Sequence, residues 1–423
     1  MKEKSKQKYS VKRIIFTVFL ILLLVLFLAV ASALIYANHM LNKINKVDPN
    51  LEYTLSSSAA DAFLEDDPDL VTMAPDSTET YIKIEDITFP PIDPWPTIPT
   101  QPQTQPAYTQ VPTEPLPTIT LPSITDTLPP QTQPTQPPQP TQPPQTEPQP
   151  TQPASPLDNI YGDHLINILL IGQDRRPGEG RQRSDSMILV SINKSNNTIT
   201  LTSFMRDQYV QIPGYKPNKL NVAFAYGGMN LLRKTLELNF GVKVDGMVEV
   251  DFSGFEKIID RLGGVDIKLT TAEAAYLNTL YEIGMLSSPV IVGVNHLDAK
   301  QALVYVGIRE IDTDYHRASR QRKVLLSLIE TYKTLPLDQM LSLMDELLPL
   351  ISTDLTNLEI MRYAIDIFPM MSSATIETLR IPVDGTFTGG LVEVRPGFYG
   401  WFQYNIDFEA NKKILWEIFR RRD

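Results

Sequence analysis

Proline sets the first limit on this chain. Of 423 residues, 35 are proline. Most crowd into residues 90–156, in Thr-Gln-Pro and Gln-Pro-Pro units such as Gln133-Pro134-Thr135-Gln136-Pro137-Pro138. Low-complexity runs of this kind read as extended and polyproline-II-like, without a core. Residues 90–160 are therefore expected to be a disordered linker. At ~3.1 Å per residue, roughly 65 residues reach at most ~200 Å. Removing this stretch and all before it leaves roughly 260 residues, near the limit of one hydrophobic core.

The N-terminus sets the expected compartment. Lys2, Lys4, Lys6, Lys8, Lys12 and Arg13 form a basic tail over residues 1–13. An uncharged apolar run follows over residues 14–37. At 1.5 Å per residue, some 24 residues span a hydrocarbon layer of ~30 Å. Cations mark the cytoplasmic side, so one transmembrane helix with an external C-terminal part is expected. Ala31-Ser32-Ala33 has the form of a signal-cleavage site, but the apolar run continues past it. Residues 38–89 are acidic, and Lys83 is the only lysine or arginine between Lys46 and Arg175. With the linker they read as a tether that lifts a domain into a thick bacterial wall.

Composition excludes several classes. The chain has no cysteine, hence no disulfide scaffold, thiol nucleophile or cysteine zinc site. A net charge of −11 argues against general nucleic-acid binding. His39, His164, His296 and His316 are scattered without metal-ligand spacing.

From residue 163 the pattern changes. Apolar runs at 166–171 and 187–192 predict buried strands, and a third strand is expected at 198–204, joined to the second as a hairpin by Lys194-Ser195-Asn196-Asn197. Further strands are expected at 247–250, 265–269 and 376–381. Helices are expected near 228–240, 253–262, 298–306 and 315–332, over much of 337–368, and at 408–420. Strands alternating with helices predict an α/β architecture with a mixed sheet. Arginine and aspartate gather in the loops after these strands. The groups are Asp174, Arg175 and Arg176; Arg183 and Asp185; Arg206 and Asp207; and Arg309, Asp312, Asp314, Arg317, Arg320 and Gln321. Asp314, Arg317 and Gln321 are spaced i, i+3, i+7 and share one helix stripe. Arg322 and Lys323 fall on the other side, where a solvated face is expected. Guanidinium forks match phosphate oxygens, and carboxylates beside them suit a magnesium ion that shares a phosphate.

These residues resemble the LytR–CpsA–Psr family. The likeness rests on Asn167-Ile168-Leu169-Leu170-Ile171-Gly172-Gln173-Asp174, Arg183-Ser184-Asp185-Ser186-Met187, Arg206-Asp207, Lys219-Leu220-Asn221 and Asp314-Tyr315-His316-Arg317-x-x-Arg320-Gln321. It is clearest over 163–330 and looser over 331–423, in Arg380-Ile381-Pro382-x-Asp384-Gly385 and Glu409-Ala410-Asn411. The resemblance implies an αβα-layered catalytic domain over 163–423. It implies a phosphotransferase that moves a glycopolymer, such as teichoic acid or capsular polysaccharide, from undecaprenyl pyrophosphate to the C6 hydroxyl of peptidoglycan N-acetylmuramic acid. By motif, Asp174 and Asp185 would hold Mg²⁺. Arg183, Arg206, Arg309, Arg317 and Gln321 would grip the pyrophosphate, and Asp314 would help take the hydroxyl proton. Arg176 has a weaker claim. Many members carry Arg-x-Arg where this chain has Gly307-Ile308-Arg309, so Arg320 or Arg175 is the expected substitute. No nucleotide is expected.

Two other classes remain open to the sequence. One is a membrane-anchored transcriptional attenuator. The other is a non-catalytic wall-binding module on a stalk.

Overall fold

The computed structural model describes residues 35–48, 70–72, 80–89, 160–173, 181–333, 336–370 and 373–422. In chain order its strands are β1 (Asn45–Lys46), β2 (Val71–Thr72), β3 (Tyr81–Lys83), β4 (Leu165–Gln173), β5 (Ser184–Asn193), β6 (Thr198–Phe204), β7 (Tyr209–Val210), β8 (Asn218–Lys219), β9 (Gly246–Asp251), β10 (Val265–Leu269), β11 (Gly293–Leu297), β12 (Ser352–Thr353), β13 (Thr375–Ile381), β14 (Thr388–Arg395) and β15 (Phe398–Tyr404). The helices are α1 (Leu220–Phe240), α2 (Phe252–Arg261), α3 (Thr271–Glu282), α4 (Ala299–Gly307), α5 (Asp314–Lys333), α6 (Leu337–Leu347), α7 (Asn357–Ile367) and α8 (Phe408–Phe419).

The main sheet runs β1-β12-β9-β4-β5-β6-β13. It is mixed. β4 pairs antiparallel with β5 and parallel with β9, and β6 pairs parallel with β13. Alternation along the strands gives each face its own core. Ile166, Ile168, Val190, Ile192 and Ile199 meet Tyr363 and Ile367 of α7. On the other face Phe204 meets Phe240 of α1 (5.3 Å), which meets Phe408 of α8 (5.4 Å). The result is helix, sheet, helix, in a mixed α/β fold. A separate sheet runs β2-β15-β14-β3.

α1 begins eight residues before the expected start, because its opening turns are interrupted. Gly228 has φ 63° and ψ −150° inside the helix. A Cβ there would lie 3.0 Å from Cζ of Arg181. Glycine both permits the left-handed backbone and leaves room for that arginine.

The N-terminal reading needs correction in part. The transmembrane run lies almost wholly outside the described residues, as do residues 1–34 in general and 90–159 of the linker. Among the described residues no helix is long and apolar enough to cross a membrane. The tether, however, does not begin at 38. Residues 35–41 are helical, and Met40, Leu41 and Ile44 are buried with Leu348, Ile360 and Met361. Asn45 and Lys46 pair with Ser352 and Thr353, and Tyr81–Lys83 pair with Leu391–Glu393 of β14. Burial of these apolar side chains, and edge strands with open partners, bind parts of the acidic segment into the fold. The described residues before 89 and from 160 onward belong to one compact unit.

Candidate functional site: an arginine–carboxylate cluster

The loops after β6 and α4, the start of β5 and the first turn of α5 bring their charges together. Arg206 is central. Its Nη1 donates to Asp185 Oδ1 at 3.0 Å, and its Nε lies 3.5 Å from Asp207 Oδ2 and 3.6 Å from Asp314 Oδ1. Arg309 Nη2 lies 3.5 Å from the same Asp185 oxygen. Arg317 Nη2 pairs with Asp314 Oδ1 at 2.5 Å, one turn along α5. Lys219 Nζ is 3.2 Å from Asp207 Oδ1 and 4.8 Å from the Phe402 ring centroid.

The electrostatics of the cluster follow from partial burial. Burial pushes the Asp314 carboxyl above its ordinary value against the pull of Arg317, and Asp207 adds to the rise. Burial likewise pulls Arg317 below its ordinary value, with Asp314 opposing. Arg309 differs, being nearly half-exposed at its side chain. It stands at the open side of the cluster.

Of the residues singled out from sequence, Asp185, Arg206, Arg309, Asp314 and Arg317 converge here. Arg183 is half-buried, immediately before β5, and Gln321 is half-buried one turn beyond Arg317. Asp174 and Arg176 lie outside the described residues, and so does Arg175. The strand leading to them ends at Gln173, paired with Ser184.

Arg320 is a correction. It does not reach the cluster and is 1% exposed. Its guanidinium grips both oxygens of Asp312 (2.7 and 2.9 Å) and the Ile308 carbonyl (2.7 Å). Glu273, which closes the capping box of α3, lies 3.6 Å away. At i+3 from Arg317, only one helix turn separates an arginine in the site from one in the core. Arg322 is a second correction: its Nη1 donates to Ser203 Oγ of β6 at 2.5 Å instead of facing solvent. Lys323 is exposed.

Asp207 and Lys219 were missed as site residues, although their motifs carried the family likeness. They are 6% and 2% exposed, so composition and spacing alone give no cue. The Asn411 motif ties a turn to the last helix, its side chain accepting from Val383 N (3.0 Å) and donating to Thr386 (2.9 Å). A cleft of about 590 Å³ is lined by Asn38, Asn42, Lys46, Val47 and residues of 354–361, none of them in the cluster.

The donor set can be tested against magnesium. Both ion pairs of Asp185 fall on Oδ1, leaving Oδ2 without a protein partner among the described residues. Asp314 likewise takes Arg206 and Arg317 on one oxygen. Free carboxylate oxygens are the hard donors that Mg²⁺ prefers. Among the described residues no group of three acidic or histidine side chains is gathered for a metal; Asp174, the other expected ligand, lies outside them, and Mg²⁺ bound with a phosphate needs few protein ligands.

Comparison with known proteins adds an independent line. Residues 141–397 match the profile of the LytR_cpsA_psr family. The polyisoprenyl-teichoic acid–peptidoglycan teichoic acid transferase TagT of Bacillus subtilis (strain 168) is 31% identical over 225 residues, covering 52% of this chain and 68% of that protein. Regulatory protein MsrR of Staphylococcus aureus (strain COL) is 36% identical over 170 residues, 40% of this chain; the match spans half of MsrR's length. The crystal structure of protein gbs0355 from Streptococcus agalactiae superposes with a TM-score of 0.50 at 22% identity, covering 64% of this chain and 93% of that one, a likeness of fold. With the profile matched over more than half its length, this chain belongs to the LytR_cpsA_psr family.

Proposed function

We propose that this protein transfers a glycopolymer from a polyprenyl pyrophosphate carrier to a peptidoglycan hydroxyl, forming a phosphodiester and releasing the lipid phosphate. The observation that carries the reading is the open cluster of Arg206, Arg309 and Arg317 against Asp185, Asp207 and Asp314. The transferase activity named for the similar TagT of Bacillus subtilis supports it.

The residues divide the work by chemistry. Arg309, exposed at the rim, meets the incoming pyrophosphate, and Arg206 and Arg317 neutralise charge that grows on the leaving phosphate. A sugar hydroxyl is a weak nucleophile. Asp314, beside the arginines, accepts its proton when it is ionised, a contribution of ~10²–10⁴-fold for a well-placed base. Asp207, held by Lys219, keeps Arg206 oriented. Asp185, with Asp174, would hold Mg²⁺, which supplies additional positive charge to the phosphate oxygens. Arg183 and Gln321 would complete the grip on the pyrophosphate, with Arg176 as an outer contact.

The same proposal includes the topology. Residues 14–37 form a retained single-pass anchor, with residues 1–13 inside and the folded part outside the cell membrane. Because residues 40–47 are packed on α6, α7 and β12, the distance from anchor to fold is not set by the Pro-rich residues 90–160. Those residues are a linker within the chain and not the stalk below the domain.

The test is a transfer assay with the purified full chain in detergent, a lipid pyrophosphate-linked saccharide and a peptidoglycan oligomer, with and without Mg²⁺. Magnesium-dependent linkage of saccharide to oligomer is the expected result. A second reading, a regulator, is favoured by the likeness to regulatory protein MsrR. It predicts no linkage and a transcript change that survives Asp314→Asn.

A further inference from the structure

A second set of side chains lies beside the cluster, on the neighbouring stripe of α5. Tyr315 directly follows Asp314, and Arg322 stands seven residues on, the spacing of one helix face. Arg322 is half-buried against Ser203, and among the described residues no carboxylate comes within ion-pair reach of it. The charge that faces it is Arg380, whose β13 position is in register with Ser203. Burial pulls Arg322 below its ordinary value and Arg380 adds to the fall. Arg380 pairs with Asp384, but that carboxylate is almost fully exposed, a partner worth little in water. Among the described residues these two guanidinium groups thus lack a buried anion.

Aromatic rings continue outward from this pair. The Arg380 guanidinium lies 4.0 Å over the Tyr315 ring. Tyr315 accepts from Gln403 Nε2 at 3.2 Å and meets Phe387 at 6.1 Å, edge to face. Beyond it Gly389 separates Phe387 from Trp401. A Cβ at Gly389 would lie 3.8 Å from Phe387 and 3.1 Å from Trp401. Trp401 is 53% exposed. The glycine keeps the ring faces bare where any side chain would cover them, the use of strand glycine where another molecule comes close.

Aromatic faces stack on the C–H faces of pyranose rings, and guanidinium forks take phosphate or carboxylate. We propose that Tyr315, Phe387 and Trp401, with Arg322 and Arg380, form a subsite for an anionic saccharide adjoining the reaction centre. The inference rests on the transferase reading for its place in the reaction, since the subsite begins next to Asp314. Its ligand is either the polymer beyond the pyrophosphate or the muramyl-peptide acceptor, which share the chemistry of a sugar chain with anionic groups.

Binding separates the sources and separates this inference from the activity. Full-length protein in detergent is titrated with three probes: a lipid-free anionic polymer fragment, a muropeptide oligomer, and farnesyl pyrophosphate. The variants are Arg322→Gln, Arg380→Gln and Trp401→Ala, each checked by thermal melting. Loss of a charged hydrogen bond predicts about ten-fold or more weaker binding of one saccharide, with farnesyl pyrophosphate affinity unchanged. Whichever saccharide loses affinity identifies the source. Unchanged affinity for both saccharides in all three variants overturns the subsite, as does an equal loss of farnesyl pyrophosphate binding. If Trp401→Ala melts early, Trp401→Phe, which keeps a ring, must retain saccharide binding. Saccharide binding lost in the variants while the wild type transfers nothing would sink the transferase reading and leave the subsite standing.

Discussion

Two arginine–carboxylate groups meet on α5 one turn apart, and they are built differently. Around Arg320 both terminal guanidinium nitrogens are answered, and only its Nε lacks an acceptor. Asp312 takes two hydrogen bonds, Ile308 a third, and Glu273 is itself locked into a helix cap. Around Arg317 the pairing is unequal. Among the described residues Arg206 faces three carboxylates at 3.0 to 3.6 Å, and Asp185 and Asp314 each leave an oxygen unused. A closed network holds a fold; an open one waits for a ligand. The same residue types at i and i+3 serve opposite ends because one points toward α3 and α4, the other toward the strand ends.

The largest effect is expected on the closed side. Arg320→Ala leaves Asp312 and Glu273 charged and unpaired, and breaking a buried pair this way costs ~3–5 kcal/mol. Urea unfolding should report that loss. A midpoint equal to the wild type would mean that the network contributes nothing and that the contrast is false.

On the open side activity should fall and stability should not. Arg309→Lys keeps the charge and loses the planar fork at a half-exposed position. Removing one such transition-state contact lowers turnover by about 10²-fold, with the melting curve unchanged. Arg183→Lys is expected to follow the same pattern. A stability loss without an activity loss in either variant would assign that arginine to the fold.

Asp314 sharpens the contrast through pH. Its carboxyl is raised above the ordinary aspartate value of ~3.9, so the native state holds its proton to higher pH than the unfolded chain does. The penalty for ionising it is absent below the unfolded value and complete above the native one. The wild type therefore loses stability as pH rises through that window, relative to Asp314→Asn. Transfer runs the other way: a base must be ionised, so the wild-type rate climbs across the same window. The variant should show neither limb. A wild-type rate with no ascending limb there would remove Asp314 as the base.

These differences also explain what the sequence could reveal. Strands β4 and β5 were legible because each carries an apolar run, Ile168–Ile171 and Met187–Val190, and β6 because it follows β5 across a four-residue turn. The convergence of Asp185, Arg206 and Asp314 was legible from strand ends and helix spacing. Arg320 misled because i, i+3 spacing places Arg317 and Arg320 one turn apart without saying which neighbour each meets. Arg322 was read as solvated, yet Ser203 on β6 receives it. Asn45–Lys46 and Tyr81–Lys83 looked like tether, since two- and three-residue strands take their order from partners 300 residues away. Nor did α3 and the β14–β15 hairpin stand out, each being only partly apolar.

The smallest effect is expected at Gly307, where the family resemblance implies a second arginine. Arg320 cannot replace it, being held by Asp312. Gly307 is the last residue of α4, exposed, two residues before Arg309. A Cβ there meets nothing within 4 Å, and its φ lies outside the left-handed region. Arginine therefore fits without displacing Tyr305, and removing a helical glycine relieves up to ~1 kcal/mol of backbone cost. Gly307→Arg should bind farnesyl pyrophosphate a few-fold more tightly, with a steeper salt dependence because one more cation takes part, and melt at the same or a higher temperature. Tighter binding at equal stability would place position 307 on the open side of the contrast, beside Arg309. Lower affinity together with a lower melting temperature would show that glycine is required there, and the cluster would then have to work with one arginine fewer than its relatives.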